Sequence, residues 1–169
     1  MDQPRQNIII SKTEHFADRI TKMYRYLSEK RQGDKDMLKQ IVRSGTSVGA
    51  NVSESQFAQS KADFLTKMTI ALKEANETRY WLKRLYAFGS LSESEFKSIV
   101  NDNEEIINIL TTITRTTREN LKKWKKWKKW RTFGPMKEKK EMSCASVSFL
   151  HFYICISHFF HFFHFSYGA

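Results

Sequence analysis

Apolar residues recur at three- and four-residue steps along four stretches of this chain, the spacing of a helix that buries one face. In the first stretch Phe16, Ile20, Met23/Tyr24 and Leu27 follow a Ser-x-x-Glu capping pattern at Ser11 and Glu14, and Gly33 supplies a stop. The pattern predicts a helix over 12–31, preceded by a short irregular arm, Met1–Ile10, whose three isoleucines are available to cover a neighbouring surface. A second helix is predicted from near Asp34–Met37 to about Gln59. Ser60 with Asp63 gives the next start signal, for a helix over 61–88 that carries Phe64, Met68, Ala71/Leu72, Ala75, Leu82 and Leu85 and stops at Gly89. Ser92 and Glu95 repeat the signal before Phe96, Ile99/Val100, Ile106/Ile107, Leu110 and Ile113, which define a fourth helix to about Lys122. No period-2 alternation is long enough for a sheet. Four helices joined by short loops predict an all-α, antiparallel up-down four-helix bundle over 1–122.

The stretch 40–85, a predicted helical hairpin, departs from ordinary patterning in its first half. Gly45 and Gly49 stand among Ser44, Thr46, Ser47, Val48, Ala50, Asn51 and Val52, where a self-sufficient helix would carry Leu and Ile. Each glycine inside a helix costs about 1 kcal/mol relative to alanine, so a close approach is expected to offset it. The expectation is that another helix backbone packs closely on this small face, and that the resulting bundle presents Tyr80 or Trp81 to a neighbouring subunit. Centring the turn on Ser60 makes facing residue numbers sum to about 120, good to one helical turn. That register puts Arg43 near Glu77, Ser47 near Glu74 and Glu54 near Lys67, with a partly buried fork expected between Arg43 and Glu77.

Charge divides the chain. Residues 1–122 hold 20 Lys/Arg against 16 Asp/Glu, a balance of +4, and residues 123–169 hold 9 against 2, a balance of +7. The body is therefore mildly basic and the tail strongly so. The first residues lack the apolar run and small-residue cleavage site of a secretory leader. Both cysteines, Cys144 and Cys155, lie in the tail, so the body relies on neither disulfide nor thiolate metal site, and a reducing cytoplasm is the expected location.

The tail is read separately. Lys122–Arg131, KKWKKWKKWR, repeats every three residues, a period unlike that of a bundle helix. Tryptophans among lysines suit base stacking or an anionic membrane surface. Beyond it, Met142–Ala169 is rich in Phe, His and Ser. Histidines interrupt that run, so no membrane span is expected. His158, His161 and His164 near Cys155 have ligand-like spacing, which low-complexity bias gives equally well. The preferred reading makes everything after about Lys122 a disordered extension produced by frameshift or readthrough.

Catalytic patterns fail on inspection. SGTSVGANVSES has the small residues of a phosphate loop but no Gly-Lys-Ser/Thr ending and no preceding strand. His15 is the only histidine of the body and lacks the Arg or Ser partner of a ribonuclease site. Glu74 and Glu77 have carboxylate-site spacing, but a di-metal bundle needs Glu-x-x-His on two helices. No enzyme activity, cofactor or metal is expected.

RSGTSVGANVSE followed by S-K-A-D-F-L-x-K-M-x-I-A-L-K-E-A-x-E-T-x-Y-W-L resembles the four helix bundle proteins encoded in intervening sequences of bacterial large-subunit ribosomal RNA genes. The resemblance extends from about Ile8 to Thr117. It implies a bundle that assembles into a ring, typically a pentamer, without established enzymatic activity. A similar fold occurs in the accessory protein of diversity-generating retroelements, which is basic, pentameric and binds nucleic acid and a reverse transcriptase. The family's motif residues fall on Arg43, Ser44, Gly45, Thr46, Ser47, Gly49, Asn51, Glu54, Asp63, Phe64, Lys67, Glu74, Glu77, Tyr80 and Trp81, and no catalytic roles come with them.

Nucleic acid, or a nucleic-acid-processing protein, is therefore the expected partner, beside further copies of the chain. Phosphate contacts need Lys and Arg on one surface. The candidates are Arg19, Lys22, Arg25, Lys30 and Arg31 on the first helix with Lys83 and Arg84 on the third, gathered into a basic face by the ring. The alternative is an assembly or adaptor module that binds no nucleic acid, resting on the small face of the second helix and an exposed Tyr80–Trp81 pair.

Overall fold

The computed structural model describes residues 8–30 and 33–133. Its helices are α1 (Ile8–Glu29), α2 (Lys35–Ser55), α3 (Lys61–Ala87) and α4 (Glu93–Phe133), and there is no strand among the described residues. The helices form a four-helix bundle. Contacts divide the chain before Lys122, so α4 runs from the bundle unit into a second unit that begins there.

Local chemistry sets most helix ends. The Asp34 carboxylate accepts from the backbone N–H of Asp36 at 2.9 Å and of Met37 at 3.0 Å, opening α2. Ser60 Oγ accepts from Asp63 N at 3.1 Å, and the Asp63 carboxylate accepts from Gln59 N at 3.1 Å. At α4 the Ser92 N–H donates to the Glu95 carboxylate at 2.9 Å while Glu95 N donates to Ser92 Oγ at 3.4 Å. Gly33 (φ 91°) and Gly89 (φ 73°) take the left-handed conformation that follows α1 and α3.

Two boundaries differ from the sequence expectation, and α2 also closes a turn earlier, at Ser55. Ser11 is not a cap, because Ile8–Ile10 form the first turn of α1 rather than an arm. Ile9 is buried and continues the stripe of Thr13, Phe16, Ile20 and Leu27, and burying it outweighs the capping signal. At the other end, α4 does not stop at Lys122. Residues 123–133 are helical, not disordered, because lysine and arginine are good helix formers and no Gly or Pro interrupts them before Gly134-Pro135. The remaining tail, with its cysteines and its histidine series, lies outside the described residues.

Contacts across the bundle run antiparallel on all four sides. Gly45 faces Ile20 and Gly49 faces Thr13 between α2 and α1. Arg43 with Glu77 and Glu54 with Lys67 join α2 to α3. Tyr86 stacks on Phe96, and Arg79 meets Glu104, between α3 and α4. Lys12 with Glu105 and Arg19 with Asp102 join α4 back to α1. The core between them is Phe16, Ile20 and Leu27 from α1, Leu38, Ile41, Val48 and Val52 from α2, Met68, Leu82 and Leu85 from α3, and Ile106 and Leu110 from α4.

The small face of α2 is turned inward, onto α1 of the same chain. A Cβ added at Gly45 would lie 2.9 Å from Ile20 Cγ2, and one at Gly49 would lie 3.4 Å from the Thr13 carbonyl oxygen. Intramolecular packing therefore accounts for Gly45, while at Gly49 an added Cβ would meet α1 at ordinary contact distance. Between α2 and α3 the Ser44 and Thr78 hydroxyls lie 2.9 Å apart in the core, and each also reaches a carbonyl of its own helix, Gln40 and Glu74.

The hairpin register is the expected one. Glu54 and Lys67 meet at 2.5 Å and Arg43 and Glu77 at 3.5 Å. The Arg43–Glu77 contact is not a buried fork, however. It is a single long contact with Arg43 67% and Glu77 34% exposed, since the Arg43 side chain lies on the solvent rim of the α2–α3 seam. Ser47 and Glu74 do not pair as expected, and Glu74 Oε2 is buried without a partner.

Gly45→Ala should destabilise the protein by about 1–3 kcal/mol through overpacking on the branched, buried Ile20. Gly49→Ala, which meets only ordinary contact distances, should be neutral or stabilising by up to about 1 kcal/mol through helix propensity. Urea denaturation of the two variants checks the pair, and equal losses would contradict the described packing. Exposed ion pairs contribute about 0–1 kcal/mol, so Arg43→Ala, at the exposed end of the pair, should cost no more than that by urea denaturation. Glu95 offers a pH test. The Ser92 hydroxyl and backbone N–H, helped by Lys30, hold its carboxyl below the usual carboxylate range. A lowered folded-state pKa stabilises above the unfolded value and is lost as pH falls through the folded one. In Ser92→Ala the Glu95 carboxyl should titrate at higher pH by NMR, and an unmoved titration would refute the capping role.

Candidate nucleic-acid interface

The α1 cations divide into those held by the fold and those left over. Arg19 pairs with Asp102 and donates to Ser98 Oγ at 2.9 Å, with its side chain 30% exposed, so it fastens α1 to α4. Lys12 does the same with Glu105 at 2.8 Å. Lys30 donates to the Tyr26 hydroxyl and sits 4.2 Å from the centre of that ring, with Glu95 within its field. Lys22 and Arg25 are exposed to solvent. Lys22 borders an open groove of about 630 Å³ between α1 and the start of α4, together with Arg19, Met23, Tyr26, Glu95 and Ser98. Arg31 lies outside the described residues.

On α3, Lys83 is exposed, and Arg84 lies 5.7 Å from the centre of the Tyr80 ring. Tyr80 is 54% exposed and meets Trp81 edge-to-face at 5.0 Å. Trp81 is not an exposed aromatic: it is half-buried against the core, and its indole N–H donates to Glu77 at 3.3 Å. Because α1 and α3 each pair with both α2 and α4, they occupy opposite corners of the bundle. The described candidates on α1 and on α3 thus lie in separate patches of the bundle.

The residues that carry the family resemblance build the fold. Ser44, Gly45 and Gly49 lie inside the bundle seams. Thr46 and Asn51 bond back to their own helix at Val42 O (2.7 Å) and Ser47 O (2.9 Å). Glu54 with Lys67 clamps the turn end of the hairpin, Asp63 serves the α3 start, and Phe64 packs on the core. Sequence reasoning missed two further ties to α4: Arg79 with Glu104 at 3.1 Å, and fully buried Asn103, which donates to Ala75 O at 3.0 Å. A polar residue at a position of the α4 apolar stripe was the available signal for Asn103.

Sequence reasoning also missed the helical state of Lys122–Arg131. This part of α4 holds seven Lys/Arg and no Asp or Glu. Trp124 stacks on Trp127 with centroids 5.1 Å apart and planes at 21°, and the Arg131 guanidinium lies 4.7 Å from the Trp127 ring centre. Trp124 is 40% exposed. Among the described residues, no helix is long and apolar enough to cross a membrane.

Comparison with known proteins bears on the bundle. A crystal structure of a protein of unknown function from the S23 ribosomal protein family of Bacteroides thetaiotaomicron is 45% identical, with a TM-score of 0.61, and the match covers 63% of this chain and 97% of that one. No curated protein matches. The family model described as 23S rRNA-intervening sequence protein matches residues 5–112, and with the bundle geometry this places the chain in that family: it belongs to the 23S rRNA-intervening sequence proteins.

Proposed function

We propose that this protein is a non-catalytic helical bundle that self-associates, as a pentameric ring, in the cytoplasm and binds nucleic acid, RNA or DNA, through phosphate contacts. The observation that carries this reading is the run of seven cations without a carboxylate over Lys122–Arg131. Basic side chains that bridge helices of the bundle have acidic partners, as Lys12, Arg19, Lys67 and Arg79 do. Lys22, Arg25, Lys83 and Arg84 supply smaller patches on α1 and α3, and a ring would repeat each of them around its axis.

A second reading has its own support. Phe57 is 85%, Phe88 69% and Tyr80 54% exposed, an unusual display of aromatic surface for a small bundle. These residues suit an assembly or adaptor module that contacts protein only.

A salt titration separates the two. Full-length protein binding a labelled duplex should lose affinity with a log–log slope of about −3 or steeper, equivalent to three or more phosphates neutralised. Changing the lysines of 122–129 to Gln should flatten that slope, and Lys83→Gln with Arg84→Gln should flatten it less. Absence of binding at low salt, or binding indifferent to salt, would refute the proposal and leave the adaptor reading.

A further inference from the structure

We propose that Lys122–Arg131 selects single-stranded nucleic acid, its tryptophans stacking on unpaired bases while its lysines hold the phosphates. The inference rests on the nucleic-acid reading above and adds the strand state and the contacts that choose it.

Helical geometry turns the three-residue repeat into a mixed surface. At about 100° per residue, Trp124, Trp127 and Trp130 step back by about 60° each and share a stripe about 120° wide. Lys123 falls between Trp127 and Trp130 on the same wheel, and Arg131 falls between Trp124 and Trp127. The position of Arg131 over the Trp127 ring agrees with this placement. Rings and cations therefore alternate within one stripe, with Lys122, Lys125, Lys126, Lys128 and Lys129 around the rest of the helix.

That alternation chooses among anionic partners. A helix lying on a membrane needs a continuous apolar face, and here Lys123 and Arg131 would enter the acyl boundary with the tryptophans. A duplex offers phosphates to the lysines but keeps its base faces stacked, so the rings gain nothing from it. A single strand offers both groups in alternation. Each base that stacks on an aromatic side chain adds about five- to a hundred-fold in affinity, and the stacked Trp124–Trp127 pair, with Trp124 40% exposed, supplies ring surface for it.

The test uses full-length protein and three probes: an oligothymidylate, a duplex of equal length, and phosphatidylserine vesicles. Oligothymidylate should quench tryptophan emission. The variant with Trp124→Ala and Trp127→Ala should lose about five- to a hundred-fold in single-strand affinity while its duplex affinity stays within about twofold. The Trp124→Phe, Trp127→Phe variant should keep most of the single-strand affinity, and circular dichroism of each variant should match the parent. Equal losses on both nucleic acids, an unchanged single-strand affinity, or vesicle binding with blue-shifted emission and no quenching by oligothymidylate would overturn the inference. Duplex and single strand binding equally, without effect of the tryptophans, would overturn it alone and leave phosphate binding standing. Failure to bind either nucleic acid would remove both.

Discussion

Close packing of α2 on α1 is the constraint on which the bundle depends. Gly45 leaves room for Ile20, so the two helices meet there where a side chain is absent, and Gly49 lies against the Thr13 backbone at ordinary contact distance. That approach brings Val48, Val52 and Ile41 into the same core as Phe16 and Ile20. The other face of α2 is then free to carry polar pairing chemistry toward α3: Ser44 to Thr78 inside, Arg43 to Glu77 and Glu54 to Lys67 at the rim. A helix with small residues on one side and hydroxyls on another is a poor helix alone. Its conformation is imposed by its neighbours.

α4 is joined by different means. Its contacts with α1 and α3 run mainly through long side chains: Lys12, Arg19 and Arg79 reach Glu105, Asp102 and Glu104, and buried Asn103 reaches Ala75 O. Ion pairs at that exposure add little stability each, but they fix which residue of α4 lies opposite which residue of its neighbours. The apolar stripe through Ile99, Ile106 and Leu110 supplies the larger attraction, and the polar pairs select its register.

Much of this was legible in the sequence. Apolar spacing and the capping signals at Ser60 and Ser92 located α3 and the start of α4, and a single turn offset placed Arg43 beside Glu77 and Glu54 beside Lys67. The misses have physical causes. Ser11 read as a cap because local hydrogen bonding was weighed without the burial available to Ile9. The glycines read as a site of close helix approach, and α1 is what approaches them, but the sequence shows that something must come near, not which helix does. Arg19 stood among the candidate phosphate contacts because its pairing with Asp102 joins residues far apart in the chain, and only the fold brings them together.

The same separation explains where unpaired charge accumulates. A bundle of this size can satisfy its carboxylates by spacing them opposite its own lysines and arginines, and the seams on both sides of α4 do so. Helix formation beyond Lys122 needs no such partner, since a lysine-rich segment carries adequate propensity and, at one residue in three, enough indole surface to form ring contacts along its own length. Mutual repulsion of seven cations opposes that helix, and a polyanion would relieve it. Binding a phosphate backbone would therefore stabilise the helical state of Lys122–Arg131 as well as occupy it, which links its order to its partner more directly than any charge inside the bundle.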